Sequence, residues 1–136
     1  MRFAAVVFII GDKIALQRRD HKAPNDPNVL GVFGGLIESG EEPAEAIRRE
    51  IAEETSLDIA KLKIQYMFDV QIPVSATNPE IGVDSVFKCQ LDSLNFEVKE
   101  GLGVEVHTLE ELINKTDIQP ATKIILKKLH EEKKWL

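Results

Sequence analysis

The segment Arg49-Glu50-Ile51-Ala52-Glu53-Glu54 constrains this chain more than any other stretch of it. On a helix, Glu50, Glu53 and Glu54 stand at i, i+3 and i+4, which gathers three carboxylates toward one face. Like charges at that spacing repel, so an ordinary surface helix gains nothing from them. A hard divalent cation reverses the argument, because Mg²⁺ or Mn²⁺ prefers carboxylate oxygens and leaves positions for water and phosphate. Arg49 lies four residues before Glu53 and four after Glu45, and can hold either carboxylate in a ligating orientation. The competing reading of any one of these glutamates is a solvated acidic face.

The surroundings make the helix itself credible. Pro43 suits a first turn, and Ala44, Ile47 and Ile51 form an apolar stripe at helical spacing, which predicts a helix over Pro43–Thr55. Upstream, Phe3–Ile10 is rich in β-branched and aromatic residues, Gly11-Asp12-Lys13 is a turn signal, and Ile14–Arg18 returns as a strand, giving a hairpin. A loop over His21–Leu30 follows, then a short strand over Val32–Ile37, whose Gly34-Gly35 pair signals close backbone approach. Downstream, strands are expected at Leu62–Val74, Val83–Leu91 and Val104–His107, with a polar loop at Ser75–Gly82. A small helix at Leu109–Asn114 and a final helix opened by Pro120, with Ile124, Ile125 and Leu129 inward, complete the chain. Strands and helices mix without alternating regularly. The expected class is therefore α+β, or an α/β/α sandwich around a mixed sheet, as one domain over residues 1–136.

Bulk composition removes some functions. A formal net charge of -6 argues against binding a nucleic-acid polymer, which requires a basic face. A nucleotide is still compatible, since local arginines or a metal can invert the potential around a site. The apolar run Phe3–Ile10 is short for a signal core and reads as a buried strand, and no segment is long enough to span a membrane. The single cysteine, Cys89, reads as a core side chain in a reducing compartment, so a cytoplasmic location is expected. Lys127-Lys128 and Lys133-Lys134 read as the wet side and end of the last helix. Trp135 could pack on this chain or on a partner copy, so a homodimer stays open.

The spacing around the helix carries the functional reading. The chain places Gly35, Glu41, Arg49-Glu50, Ile51, Glu53-Glu54, Ser56 and Leu57 in one 23-residue window. Six charged or glycine positions, each met at roughly 7 %, would coincide by chance on the order of once in ten million windows. This pattern resembles the signature of the Nudix family, with eight of nine defined positions matching over residues 35–57. The departure is Ser56, where the family has a glycine. That glycine ends the helix in a left-handed conformation costing other residues roughly 1 kcal/mol, so Ser56 is expected to strain the helix end and leave catalysis intact.

The resemblance implies a mixed sheet between helices, with the signature as a loop-helix-loop. It implies hydrolysis of a nucleoside diphosphate linked to a further group, with Mg²⁺, or Mn²⁺, as the cofactor and a small nucleotide as the substrate. A nucleoside triphosphate or modified nucleotide, cleaved to a monophosphate and pyrophosphate, is the leading expectation. A nucleotide sugar or ADP-ribose is the alternative, and a silent nucleotide sensor the alternative of another class. By carry-over, Glu50, Glu54 and Glu53 would ligate metal, helped by the Gly35 carbonyl. Glu53 or Glu100, on a later loop, would be the general base. Arg49 would orient carboxylates, Gly34, Glu41 and Glu38 would shape the loop, and Arg18 and Arg19 would clamp phosphates, one of them remaining a solvated strand-end residue. Phe33 and Thr122 stand where the family meets its base, each with a residue type that departs from the familiar one. His21 reads mainly as a loop residue.

Overall fold

The computed structural model describes residues 1–132, so Lys133, Lys134 and Trp135 fall outside it. Seven strands form one mixed sheet: β1 (Arg2–Ile10), β2 (Lys13–Arg18), β3 (Leu30–Gly31), β4 (Phe33–Leu36), β5 (Ile64–Pro73), β6 (Ile81–Gln90) and β7 (Val104–His107). Three helices accompany it: α1 (Pro43–Glu54), α2 (Leu109–Asn114) and α3 (Pro120–Glu132). β1 lies centrally, parallel to β6 along one edge. Along the other edge it changes partner midway: Phe3–Val6 pair with β4, and Phe8–Ile10 pair with β2. β2 and β4 therefore diverge, and a basin opens between them.

Period-two alternation sorts the sheet into two faces. Ala5, Val7, Ile9, Phe68 and Val86 pack with α2 and α3, whose Leu112, Ile125, Leu126 and Leu129 are buried. Ala4, Val6, Phe8, Phe87 and Cys89 pack with Ala46, Ile47 and Ile51 of α1. Helices on both faces of a mixed sheet fit the α+β sandwich expected from the sequence, and Cys89 is a core residue.

Several boundaries differ from the sequence reading. The expected strand Val32–Ile37 is β4, shortened to Phe33–Leu36, and an additional short strand, β3, precedes it at Leu30–Gly31 where the expected loop ends. A 3-10 turn at Ile59–Lys61 delays β5 to Ile64, and a bulge at Met67 shifts its register. Ala44 is exposed, because α1 meets the sheet only from Ala46 onward, and Ile124 is half-buried while Leu126 takes the core position. Arg49 does not pair with Glu45, whose carboxylate instead accepts the Glu42 N–H at 3.0 Å and caps the helix. Among the described residues no helix is long and apolar enough to cross a membrane.

Ser56 corrects a firmer expectation. Among the described residues, positive φ outside glycine occurs only at Asp26 and Asn28, so Ser56 is not left-handed. The helix ends in extended backbone at Thr55, which forms a β-bridge with Val98. Ser56 Oγ accepts the Glu97 N–H at 2.8 Å, and its own N–H donates to the Glu97 carbonyl at 2.9 Å. A serine here secures the neighbouring segment and stores no strain.

Gly34 is the position where backbone demands are hardest. Its φ is +149°, and a Cβ there would lie 2.1 Å from the Ala4 carbonyl oxygen across the β1–β4 pair. Gly34→Ala is expected to destabilise the fold by about 2 kcal/mol or more, read as a lower denaturation midpoint. A midpoint equal to the parent's would contradict this account.

Candidate active site

Helix α1 lies under β4 so that Glu50 and Glu54, one turn apart, share the inward side with Ile47 and Ile51. Carboxylates fit there because Gly34 and Gly35, at the middle of the strand above, carry no side chains. A Cβ on Gly35 would lie 2.5 Å from Glu50 Oε1, and the Gly34 N–H donates to Glu54 Oε1 at 3.0 Å. Glu53 points outward, with its side chain 58 % exposed. The three glutamates are thus two half-sunk carboxylates and one free to move, which a uniform acidic face would not produce. Among the described residues no group of three or more acidic, histidine or cysteine side chains stands ready, as placed, to hold a metal ion.

Arg49 holds this arrangement together. Its Nε and NH2 donate to the two Glu41 oxygens at 2.8 and 2.9 Å, and NH2 also reaches the Leu36 carbonyl at 3.0 Å. NH1 donates to Glu50 Oε1 at 3.0 Å, lies 3.4 Å from Glu53, and stands 3.7 Å from the exposed Glu38. The two-point hydrogen bond from Arg49 holds the Glu41 carboxyl down at about 2. Glu41 in turn accepts the Glu38 N–H at 2.8 Å, which ties the loop to the Arg49 pair. Deeper in, burial pushes Glu50 up, and burial plus the charge of Glu50 push Glu54 up to about 8. Carboxylates that resist ionising together, in an all-oxygen setting, fit a hard divalent cation.

These carboxylates line a basin of about 680 Å³. Arg19, Lys22 and Lys99 also line it, with Lys99 Nζ donating to the Ala52 carbonyl of α1 at 3.3 Å, and Glu100 lines it from the loop after Val98. That loop is pinned from two sides: Gln17 Nε2 donates to the Glu100 carbonyl at 2.9 Å, and the Lys99 N–H donates to the Glu54 carbonyl at 2.8 Å. Arg19 donates to the Asp26 and Asn25 carbonyls at 3.0 and 2.6 Å, which orders the His21–Leu30 loop while leaving its charge without a carboxylate.

Three expected contacts change. Arg18 is absent from the basin wall; its guanidinium is bound by Glu105 at 2.5 and 2.9 Å and by Asp117 at 2.7 Å, so Arg19 alone of the pair faces the basin. Phe33 is 0 % exposed and packs edge-on against Phe8 at 5.2 Å, so it cannot meet a ligand. Strand alternation instead turns Val32 toward the basin. Thr122 is also 0 % exposed: its hydroxyl accepts the Val32 N–H and donates to Gln119 Oε1, both at 3.1 Å. Gln119 and Ala121 are the residues of that segment that line a cleft, and His21 is an exposed loop residue outside the basin wall.

The sequence reading missed Gln17, Lys22 and Lys99 as wall residues, which nothing local distinguishes from ordinary polar positions. It also missed Asp84, a charged residue on the inward phase of an apolar strand, and that alternation was the available signal. Asp84 is 5 % exposed, and burial, then the charge of Asp69, push it up to about 7. Because the folded state holds this proton more tightly than the unfolded chain, the stabilisation is complete below about pH 4 and lost as pH rises through about 7. Asp84→Asn should therefore raise Tm at about pH 8, by up to roughly 4 kcal/mol of stability, and change it little near pH 4. A Tm difference that does not grow with pH would refute the assignment.

The NUDIX domain family model matches residues 1–129. No curated protein matches the chain. Among solved structures it is similar to a MutT NUDIX hydrolase from Burkholderia pseudomallei, at 24 % identity and TM-score 0.72, covering 93 % of this chain and 95 % of that one. It is also similar to the E. coli dihydroneopterin triphosphate pyrophosphohydrolase, at 17 % identity and TM-score 0.76, covering 96 % and 95 %. The NUDIX domain of Shewanella oneidensis NrtR, complexed with ADP ribose, is similar at 15 % identity and TM-score 0.71, covering 97 % and 87 %. Identities at this level establish a common fold. Together with a family match over nearly the whole length, and glutamates seated beneath a glycine pair, they show that this chain belongs to the NUDIX family.

Proposed function

We propose that the chain hydrolyses a phosphoanhydride bond in a nucleoside diphosphate linked to a further group. The substrate we favour is a nucleoside triphosphate or modified nucleotide, giving a monophosphate and pyrophosphate. The observation that carries this reading is a single basin lined by Glu50, Glu53 and Glu54 together with Arg19, Lys22 and Lys99. Acidic groups there suit a cation, and basic groups suit phosphate oxygens that extend past it. The similar E. coli protein is by name a triphosphate pyrophosphohydrolase, which agrees with a chain of phosphates in the basin.

Glu50, Glu54 and the Gly35 carbonyl would hold Mg²⁺, with Mn²⁺ as a substitute, and Glu53 would turn from Arg49 to join them. The cation, when bound, supplies positive charge against the phosphate oxygens. Arg19, Lys22 and Lys99 draw the phosphates into line. A water oxygen attacks phosphorus, and the bridging oxygen leaves with its electron pair on the departing phosphate. Glu53, exposed and close to the floor, is our choice for taking the water's proton; Glu100 is the other carboxylate placed to do so. Arg49 acts through Glu41 and Glu50 as a positioning residue. A cytoplasmic setting, with a buried reduced Cys89, suits this reaction.

Glu53→Gln should lower kcat by about 10² to 10⁴-fold with Tm preserved, measured as phosphate or pyrophosphate release from a panel of nucleoside triphosphates, nucleotide sugars and ADP-ribose. Chelation should abolish turnover and Mg²⁺ restore it. Turnover that survives chelation and Glu53→Gln would remove the basin from the chemistry. Cleavage of ADP-ribose alone would move the assignment to the other substrate class.

A further inference from the structure

A second cleft of about 260 Å³ adjoins the basin and shares Arg19, Val32 and Gly34 with it. Its walls mix the apolar Phe3, Ala5, Ile72 and Val74 with Arg19, Asn25 and Gln119. Into this cleft β6 delivers Asp84, whose Oδ1 is the one buried side-chain oxygen or nitrogen without a hydrogen-bond partner among the described residues. Its register neighbours on either side are Phe3 and Val70, and neither side chain can donate. A buried carboxylate oxygen left unmatched is costly, and it persists in a folded protein when something else completes it.

We propose that Asp84 is a specificity-determining residue, accepting N–H donors from the heterocycle of the nucleotide and selecting a guanine-type edge. This deepens the proposed reaction, on which the placement of the nucleotide rests: with phosphates over the glutamates, the base passes the shared rim at Val32 and Gly34 into the smaller cleft. The chemistry of the acceptor then chooses the base. A carboxylate has only lone pairs to offer. The guanine edge presents a ring N–H beside an exocyclic amino group, two donors with no lone pair between them. Adenine and cytosine place a ring nitrogen lone pair beside their amino group, and uracil flanks its N–H with carbonyl oxygens; each sets a lone pair against the carboxylate. The apolar part of the wall suits the faces of a flat ring, and Asp84 is the acidic residue among the polar groups lining the cleft.

The test compares guanosine and inosine 5′-monophosphates, which differ only in the 2-amino group, by titration calorimetry on the full chain. Guanosine monophosphate should bind about tenfold tighter or more, as expected for a hydrogen bond to a charged group. Adenosine monophosphate should bind no tighter than the inosine compound. In Asp84→Asn the guanosine-to-inosine ratio should collapse to within about twofold, with Tm at or above the parent's as proof of folding. A ratio near one in the parent protein overturns the proposal without any variant, and so does absence of guanosine monophosphate binding. A ratio unchanged in Asp84→Asn overturns it too. Metal-dependent turnover with no such discrimination would sink this inference alone, whereas discrimination that depends on Asp84 in a protein without turnover would sink the hydrolase reading alone.

Discussion

Everything at the site leans on one guanidinium. Arg49 reaches Glu41, Glu50, Glu53, Glu38 and the Leu36 carbonyl, and so ties the loop before α1, the end of β4 and the helix itself into one charge-compensated knot. A lysine could neutralise one of these partners. Only a planar fork with several fixed donors spans Glu41 in two-point fashion while leaving NH1 for Glu50. Without it, four carboxylates would face one another with no common counterion, and the helix would have reason to turn its acidic side out to water.

The second constraint is steric and complements the first. Gly34 and Gly35 remove side chains where the carboxylates of Glu54 and Glu50 need room, and Gly34 gives its N–H to Glu54 in return. The helix therefore approaches the strand more closely than an ordinary helix–sheet contact would allow. The same arrangement partly desolvates two acids, raising their affinity for protons and, by the same logic, for a cation. Backbone spacing in β4 is thereby converted into chemistry on α1.

Local periodicity carried much of this into view before any coordinates. The helix Pro43–Glu54, the opening hairpin and the last two helices were legible because side-chain spacing along the chain fixes them. So were the glutamates, through the fixed intervals of the motif, whereas Arg49 takes Glu41 as its two-point partner in place of the expected Glu45. What escaped depends on partners far away in sequence. Arg18 looks as free as Arg19 until Glu105 and Asp117 close on it from two later segments. Phe33 and Val32 differ by one residue, and which of them meets the basin depends on how β4 is laid against β1. Ser56 would be a poor helix end in isolation, but the bridge from Thr55 to Val98 makes extended backbone the right conformation there. Asp84 hides because a charged residue in a strand is commonplace, and only its neighbours make it exceptional.

The central strand β1 has a consequence for how such a protein can change over generations. One edge carries β4 and, through it, the glutamate helix; the other carries β6 and Asp84. Under the roles proposed above, the residue that selects the base and the residues that act on the phosphates thus hang from opposite sides of one shared strand. With those roles, drift along β6 retunes diet while the cutting edge stays untouched, so that a lineage built on this frame explores new substrates without passing through an inactive ancestor.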